Sequence, residues 1–230
     1  MLEFQPTILY EDAQLCVCVK PAGVLSEGGT PGGMPALLAG YYRAQGRPDF
    51  VAGVHRLDRI VGGAMVFSRR RDVTGKLIAA VAAHEVTKEY LAVLCGRPDR
   101  EEATLEDLLF HDSTKNKTYV VKRLRKGVRE ARLSYRVLAS VETPQGLRTL
   151  VRVQLYTGRT HQIRAQFSAR GLPLLGDIRY GSRDPACDCA LWSNRLCFAH
   201  PTRRAQVVDC AAPPPDCYPW TLFPPQLVGA

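Results

Sequence analysis

Apolar and polar side chains alternate most clearly in the middle of the chain. The alternation runs through residues 131–137 and again through residues 147–155, with a Thr-Pro-Gln-Gly turn at 143–146 between them. Strict alternation is typical of a half-buried strand. Two such strands joined by a short turn predict a hairpin in an antiparallel sheet.

Short apolar runs bounded by turn residues predict further strands. Residues 15–19 indicate a buried strand that enters a turn at 20–23. Residues 51–57 and 64–68 predict a strand pair around a turn at Asp58, and residues 89–95 predict a strand that stops at Gly96.

Apolar residues recur at helical spacing over 35–47, 74–84 and 160–169. In the third of these, Thr160 or Gly158 is predicted to open the helix and Gly171 to cap its end. The Pro-rich tail at 211–230 cannot continue a sheet and is expected to run over the surface. The order of elements predicts one α+β domain over residues 1–230, with a mixed, mainly antiparallel sheet flanked by helices and loops.

Composition indicates a globular chain with a polyanionic partner. The hydrophobic share of 46% and the charged share of 23% exclude a disordered chain, and no short period indicates a fibre. The 31 Lys and Arg residues exceed the 22 Asp and Glu residues by nine. That excess favours nucleic acid first and an anionic membrane second, and leaves open a basic surface without a partner.

The cysteines and the N-terminus bear on the compartment. The N-terminus lacks the features of a signal peptide, and no apolar run approaches the roughly 18–20 residues of a membrane span. The cytoplasm is therefore expected, where the eight cysteines stay reduced. No CxxC pair occurs, so we expect no metal, although a zinc site remains an alternative for Cys187, Cys189, Cys197 and His200.

Asp58 lies between Arg56 and Arg59 on the turn of the predicted strand pair. A carboxylate flanked by two arginines is expected to stay ionised, which suits a nucleophile or a base. The alternative is an Asp–Arg pair that only fixes the turn.

Residues 157–164 place basic side chains around the start of the third predicted helix. Free N–H groups at a helix start attract an anion, and Arg159, His161 and Arg164 are expected to project around it. The alternative is an ordinary basic helix start that faces solvent.

Tyr90 and a basic stretch complete the candidate residues. Tyr90 offers a ring for stacking on a base, although a strand tyrosine is more often part of the core. The basic stretch is opposed only by Asp112 and Glu130, and it is either a solvated loop or a surface for phosphates. Its members are Lys115, Lys117, Lys122, Arg123, Arg125, Lys126, Arg129 and Arg132.

Several motifs follow one another in a specific order. They are ILYED (8–12), VKPAG (19–23), HRLD (55–58), KEYLAV (88–93), LYTGRTHQIR (155–164), GLPLLGDIRYG (171–181) and LCFAHP (196–201). Over about residues 8–201 the chain therefore resembles the RluA-type pseudouridine synthases. The resemblance implies an enzyme that isomerises uridine in structured ribosomal or transfer RNA without a metal or an organic cofactor. We expect a monomer with RNA as its partner and no membrane association.

The resemblance also implies roles for individual residues. Asp58 would attack the target uridine, so that the base detaches, rotates and reattaches through carbon. Tyr90 would stack on the base and move a proton, and Arg164 would pair with the aspartate. Arg56 would enter the RNA and hold the flipped nucleotide out, since chemistry on a stacked base requires extrusion. Substrate contacts are also expected of the motif residues His55, Arg159, His161 and Gln162.

Two departures from the family pattern leave an alternative open. The family continues HRLD with a D-T-S-G-like turn, whereas this chain reads Ile-Val-Gly-Gly at 60–63 and lacks those hydroxyls. The frequent N-terminal S4 RNA-binding domain is missing, so we expect a stand-alone catalytic domain whose basic surface supplies the RNA affinity. The alternatives are a non-catalytic RNA-binding or ribosome-assembly protein on the same scaffold, and a zinc-dependent nucleic-acid module.

Overall fold

The computed structural model describes residues 4–28, 32–203 and 205–229. These residues group into two compact units, the first from Met1–Lys88 and Ser193–Pro213 and the second from Glu89–Trp192 and Pro214–Ala230. The single catalytic domain over residues 1–230 stays a prediction. No helix in the described ranges is long and apolar enough to cross a membrane.

The elements are numbered in chain order. The strands are β1 (Ile8–Glu11), β2 (Leu15–Lys20), β3 (Ala52–Gly53), β4 (Gly62–Ser68), β5 (Thr87–Cys95), β6 (Glu102–Asp112), β7 (Lys117–Val121), β8 (Val128–Thr143), β9 (Gly146–Leu155), β10 (Leu191–Ala199) and β11 (Val207–Ala211). The α-helices are α1 (Met34–Ala44), α2 (Arg71–Ala82), α3 (Gln162–Ser168) and α4 (Pro225–Val228). Short 3-10 turns occupy Ile178–Tyr180 and Trp220–Leu222.

In the first unit, the strand order is β1-β2-β4-β10, with β3 on β4 and β11 on β10. Strand β2 is antiparallel to β1 and β4, and all of its residues except Val19 are buried. Val73 and Leu77 of α2 pack into the same core as Leu15 and Val17 of β2. The predicted strand at 15–19 and the predicted helices at 35–47 and 74–84 are therefore confirmed, with shifted ends.

In the second unit, the strand order is β5-β9-β8-β6-β7. Strands β8 and β9 form the predicted antiparallel hairpin, with Thr143 opposite Gly146 at its turn. Gly146 has a φ of +105°, which a glycine adopts without steric cost. Strand β6 lies between β7 and β8 and is antiparallel to both. The fold class is α+β, as the sequence predicts.

Three predicted elements differ from the structure. The strand predicted at 51–57 shrinks to β3, because backbone groups after it bond to a neighbouring loop instead of a strand. Helix α3 begins at Gln162 and not at Gly158 or Thr160, because the preceding His161 adopts a left-handed φ of 53°. The tail does not only run over the surface, since Trp220 and Phe223 bury their side chains.

Candidate active site

The turn at 20–23 is bonded to the chain beside Asp58. Lys20 is fully buried, and its Nζ donates to the carbonyl oxygens of Pro21, Val24 and Arg59 at 2.9, 2.7 and 3.1 Å. The Arg59 carbonyl also accepts from the Gly23 N–H at 2.7 Å, and Arg59 Nε donates back to the Gly23 carbonyl at 2.9 Å. The backbone that follows Asp58 is thus fixed by several hydrogen bonds.

Ser26 fixes the backbone on the other side of Asp58. Its hydroxyl donates to the Leu57 carbonyl at 2.7 Å and accepts from the Leu57 N–H at 2.9 Å. The Val61 N–H then donates to the Asp58 carbonyl at 3.0 Å and closes the turn. Asp58 itself is half-buried between these two anchors. Its carboxylate is therefore presented from a backbone with little freedom.

The Lys20 ammonium and the Asp58 carboxylate interact electrostatically. Burial lowers the pKa of Lys20 to about 8, and the attraction of Asp58 acts in the opposite direction. An ammonium that is removed from water interacts more strongly with nearby charges than an exposed one. Lys20 therefore places a buried positive charge beside the carboxylate.

His55 and Arg56 precede Asp58 and differ in their surroundings. The Val66 N–H of β4 donates to His55 Nε2 at 3.1 Å, which requires this nitrogen to be unprotonated. Burial, and less strongly the charge of Lys88, lowers the pKa of His55 to about 3. The described contact of His55 is thus with β4, whereas the Arg56 side chain is exposed.

The last residue of the Ile-Val-Gly-Gly turn, Gly63, is glycine in the family pattern as well, and the structure gives the reason. Gly63 has a φ of +117°, and a Cβ there would overlap the Ser193 carbonyl oxygen and lie 2.8 Å from its carbon. Such a contact requires the backbone to shift. Val61, where the family pattern has a hydroxyl, is buried. Glycine at position 63 is therefore required by the close approach of β10.

Arg164 lies in α3 of the second unit and is buried, with 3% of its surface exposed. Its Nε and Nη2 donate to the two carboxylate oxygens of Asp177 at 2.7 and 2.9 Å. Of the three basic side chains expected around the helix start, Arg159 is exposed, whereas His161 and Arg164 are buried. The solvent-facing alternative is therefore wrong for Arg164. A bidentate pair of this kind fixes both the position and the plane of the guanidinium.

Other residues of the same motif support the loop before α3. Gln162 Oε1 accepts from Thr157 Oγ1 at 2.7 Å and from the Arg159 N–H at 3.0 Å. Gln162 Nε2 donates to the Arg132 carbonyl at 3.1 Å, and Arg159 Nε donates to the Glu130 carbonyl at 2.9 Å. The described contacts of Gln162 are therefore within the fold. The substrate contacts predicted for it stay a prediction.

Tyr90 lies on β5 in the second unit with 5% of its surface exposed. Asp58 belongs to the first unit, whereas Tyr90 and Arg164 belong to the second. The pairing of Arg164 with Asp58 and the stacking role of Tyr90 stay predictions.

The basic residues of the second unit lie on β7 and on the loop from β7 to β8. Lys117 is half-buried, and its Nζ lies 5.7 and 5.2 Å from the ring centroids of Tyr119 and Tyr180. The members Lys115, Lys122, Arg123, Arg125 and Lys126 are exposed. Of these, Lys115 lies near enough to Asp112 for their charges to interact. Arg132, in contrast, pairs with Glu106 at 3.1 Å.

Sequence reasoning missed the residues that hold the candidate side chains. The motifs included Lys20 and Asp177, but gave no sign that one bonds three carbonyls and the other binds Arg164. Ser26 belonged to no motif.

Two of the suggested zinc ligands have other contacts, since His200 Nε2 lies 2.9 Å from Asp12 Oδ2 and Cys189 Sγ lies 3.7 Å from Asp177 Oδ2. Across the described ranges, no three His, Cys, Asp or Glu residues are arranged to hold a metal ion.

Comparison with known proteins identifies the class to which this fold and these motifs belong. Residues 14–169 match the family model described as RNA pseudouridylate synthase. The chain is 34% identical over 229 residues to ribosomal large subunit pseudouridine synthase D of Yersinia pestis, with 91% of this chain and 67% of the relative covered. It is 30% identical over 213 residues to YhcT of Bacillus subtilis strain 168, described as an uncharacterized RNA pseudouridine synthase, with 91% and 69% covered.

A solved structure has the same fold. Human RNA pseudouridylate synthase domain containing 1 superposes with a TM-score of 0.76 at 22% identity, covering 92% of this chain and 84% of that one. The class is therefore an isomerase that converts uridine in RNA to pseudouridine. The chain belongs to the RNA pseudouridylate synthase family, which confirms the RluA-type resemblance. It spans about two thirds of the length of these two curated relatives.

Proposed function

We propose that this chain isomerises uridine in a structured ribosomal or transfer RNA, with Asp58 as the nucleophile. The reaction breaks the bond between N1 of the base and C1′ of the ribose and forms a bond between C5 and C1′. The hydrogen on C5 leaves to solvent, and N1 gains one. No oxidant, reductant or second substrate is needed for this exchange.

The fixed position of the Asp58 carboxylate carries the proposal. The backbone is bonded by Ser26 before the residue and by Lys20 and Gly23 after it. Holding a reacting group in place before substrate binds lowers the entropic part of the barrier. The buried Lys20 ammonium adds a positive charge beside the proposed nucleophile. An Asp that only fixed its turn would not need so many independent anchors.

Arg164 and Tyr90 are proposed to act with Asp58. The bidentate Asp177 pair holds the Arg164 guanidinium in one orientation, which suits a group that pairs with a catalytic carboxylate. Tyr90 offers a ring on β5, and the residues that follow it on this strand, 91–94, are buried. A ring on such a fixed strand suits a stacking platform. The exposed Arg56 is long enough to enter an RNA stack and replace the extruded base.

The basic segment, which we define as residues 113–129, is proposed to bind the RNA backbone. It contains four lysines, three arginines and no acidic residue, so it carries seven of the nine net positive charges. Contacts between such charges and phosphates release counterions, and they supply affinity without sequence preference. The names of relatives favour ribosomal RNA, since one of them is a large subunit synthase. The proposed phosphate contacts are Lys115, Lys117, Lys122, Arg123, Arg125 and Lys126.

Asp58→Asn tests the proposal, because it keeps the side-chain volume and removes the charge. Tritium release from RNA labelled at C5 of uridine reports product formation, and filter binding reports affinity. We expect no release by Asp58→Asn, with affinity close to that of the wild type. Asp72→Asn, on the exposed end of α2, is the matched control and should release tritium normally.

Two results would contradict the proposal. Release by Asp58→Asn at the wild-type rate excludes Asp58 as the nucleophile. Binding of total cellular RNA by the wild type without any release favours the non-catalytic RNA-binding alternative.

A further inference from the structure

The hydroxyl of Tyr180 joins two segments of the second unit. It accepts a hydrogen bond from the Thr118 N–H of β7 at 2.7 Å and lies 3.0 Å from Nδ1 of His161, which precedes α3. Both contacts are satisfied when the hydroxyl donates to an unprotonated Nδ1. Tyr180 is 4% exposed, and burial raises its pKa, so the phenol keeps the proton that it donates.

The ring of Tyr180 lies beneath two cations. The Arg164 guanidinium carbon is 4.9 Å from the ring centroid, and Lys117 Nζ is 5.2 Å from it. A cation over an aromatic face is attracted by the ring, and more strongly where water is excluded. The ring therefore supports the same guanidinium that Asp177 holds in its plane.

Arg179 strengthens the connection to the basic segment. Its Nη1 donates to the carbonyl oxygens of Lys115 and Asn116 at 3.0 and 2.8 Å, in the turn between β6 and β7. Asp112 closes the same turn, since its Oδ1 accepts from the N–H groups of Thr114 and Lys115 at 3.0 and 3.1 Å. The first part of the basic segment is thus bonded to the turn that carries Arg179 and Tyr180.

His161 supplies an independent sign that this junction is under constraint. Its φ of 53° lies in the left-handed region, which is unfavourable for a residue with a Cβ. Such a conformation persists only where the surroundings impose it, and it is concentrated near functional sites. The Tyr180 hydroxyl is one contact of the imidazole, three residues before Arg164, and the His111 ring is another, edge-to-face with centroids 6.0 Å apart.

We propose that Tyr180 is a positioning residue that couples RNA binding by the basic segment to the placement of Arg164. Its hydroxyl holds the start of β7 relative to α3, and its ring supports the guanidinium. The inference rests on the proposed function, because it takes the basic segment as the RNA contact and Arg164 as part of the catalytic machinery. It adds that the Tyr180 side chain contacts both, beside the bond from Thr118 Oγ1 to the Thr160 carbonyl at 2.7 Å.

Three single variants separate the contributions of the hydroxyl, the ring and the arginine beside it. Tyr180→Phe keeps the ring and removes the hydroxyl. KM for RNA should rise about fivefold to tenfold, which is the typical effect of losing one buried hydrogen bond. The kcat should stay within about twofold of the wild-type value. Tyr180→Leu also removes the ring, so kcat should fall at least about tenfold. Arg179→Gln should raise KM alone.

A double-mutant cycle distinguishes coupling from a general structural role. The second arm replaces Lys115, Lys122, Arg123, Arg125 and Lys126 by Ser, which removes five charges from the basic segment, including that of Lys115, whose carbonyl accepts from Arg179. In that background Tyr180→Phe should leave KM unchanged within about twofold, because the contacts that it misplaces are already gone. Urea unfolding curves measured at the assay temperature establish that every variant is folded during the kinetic measurements.

The outcomes separate this inference from the proposed function. A full KM effect of Tyr180→Phe in the charge-removed background overturns the coupling, while Asp58 as nucleophile stands. Wild-type kcat in Tyr180→Leu overturns the role of the ring. If Tyr180→Leu does not fold, the cycle with Tyr180→Phe still decides the coupling. Tritium release by Asp58→Asn overturns the proposed function whatever the cycle shows.

Discussion

Replacing Asp177 by Asn tests how far the second unit depends on its buried ion pair. The Arg164 and Asp177 side chains are 3% and 1% exposed, and two hydrogen bonds join them. Asn keeps the size of the side chain, but it removes the negative charge and places an NH₂ group against a guanidinium N–H. The substitution therefore removes the bidentate partner of a buried cation.

The expected loss follows from burial. Removing one partner of a buried ion pair typically costs about 3–5 kcal/mol, because the remaining charge stays desolvated. With a urea dependence of about 2 kcal/mol per molar, the midpoint of unfolding should fall by about 2 M. We also expect kcat for tritium release to fall by more than the unfolded fraction explains, because Arg164 loses its fixed orientation.

An exposed pair of the same geometry provides the control. Arg70 Nε and Nη2 donate to the two oxygens of Asp72, both at 2.9 Å, and these side chains are 54% and 64% exposed. Asp72→Asn should leave the urea midpoint unchanged within error, since water solvates both groups. Equal midpoints for Asp177→Asn and Asp72→Asn would refute the reasoning from burial.

Two further predictions concern the first unit. Gly63→Ala should lower the free energy of unfolding in urea by about 3 kcal/mol, because its Cβ meets the Ser193 backbone at a positive φ. The control Gly75→Ala, in the open middle of α2, should raise it by about 0.5–1 kcal/mol. A Gly63→Ala variant as stable as the wild type would show that β10 can move away. Because the pKa of His55 is lowered to about 3, the unfolded chain binds more protons there between about pH 3 and 6.5, and stability should fall as pH falls through that window. In His55→Gln the amide oxygen can still accept from the Val66 N–H. The free energy of unfolding should then fall less steeply with pH over this range. An unchanged pH profile would contradict the lowered pKa of His55 as its cause.

The sequence predicted the elements whose pattern is local. Strands β8 and β9 alternate over many residues, and the turn between them is short, so neither their type nor their pairing needed tertiary information. The start of α3 was misplaced because the local pattern does not indicate the left-handed backbone of His161, whose side chain contacts Tyr180, nineteen residues later. The strand predicted at 51–57 was too long because Ser26 competes for the backbone of Leu57.

In the candidate site, too, local motifs indicated some residues, whereas contacts between distant segments were not predicted. Asp58, Tyr90 and Arg164 were proposed from the order of the motifs, which is a property of the sequence alone. Their anchors were not found, since the Asp177 carboxylate reaches Arg164 from outside the helix. Nothing in the pattern around Ser26 or Lys20 indicates which carbonyl each will bind. Contacts of this kind depend on how distant segments pack.

The concentration of charge in the basic segment affects how RNA arrives, and not only how tightly it binds. Seven of the nine excess charges lie within seventeen residues, which leaves two for the remaining chain. A phosphate backbone that approaches such an asymmetric charge distribution experiences a torque that turns it towards the basic segment before any contact forms. Diffusive encounters are therefore biased towards one orientation. Added salt should slow association through this bias, whereas departure of the RNA depends mainly on the short-range contacts formed after docking.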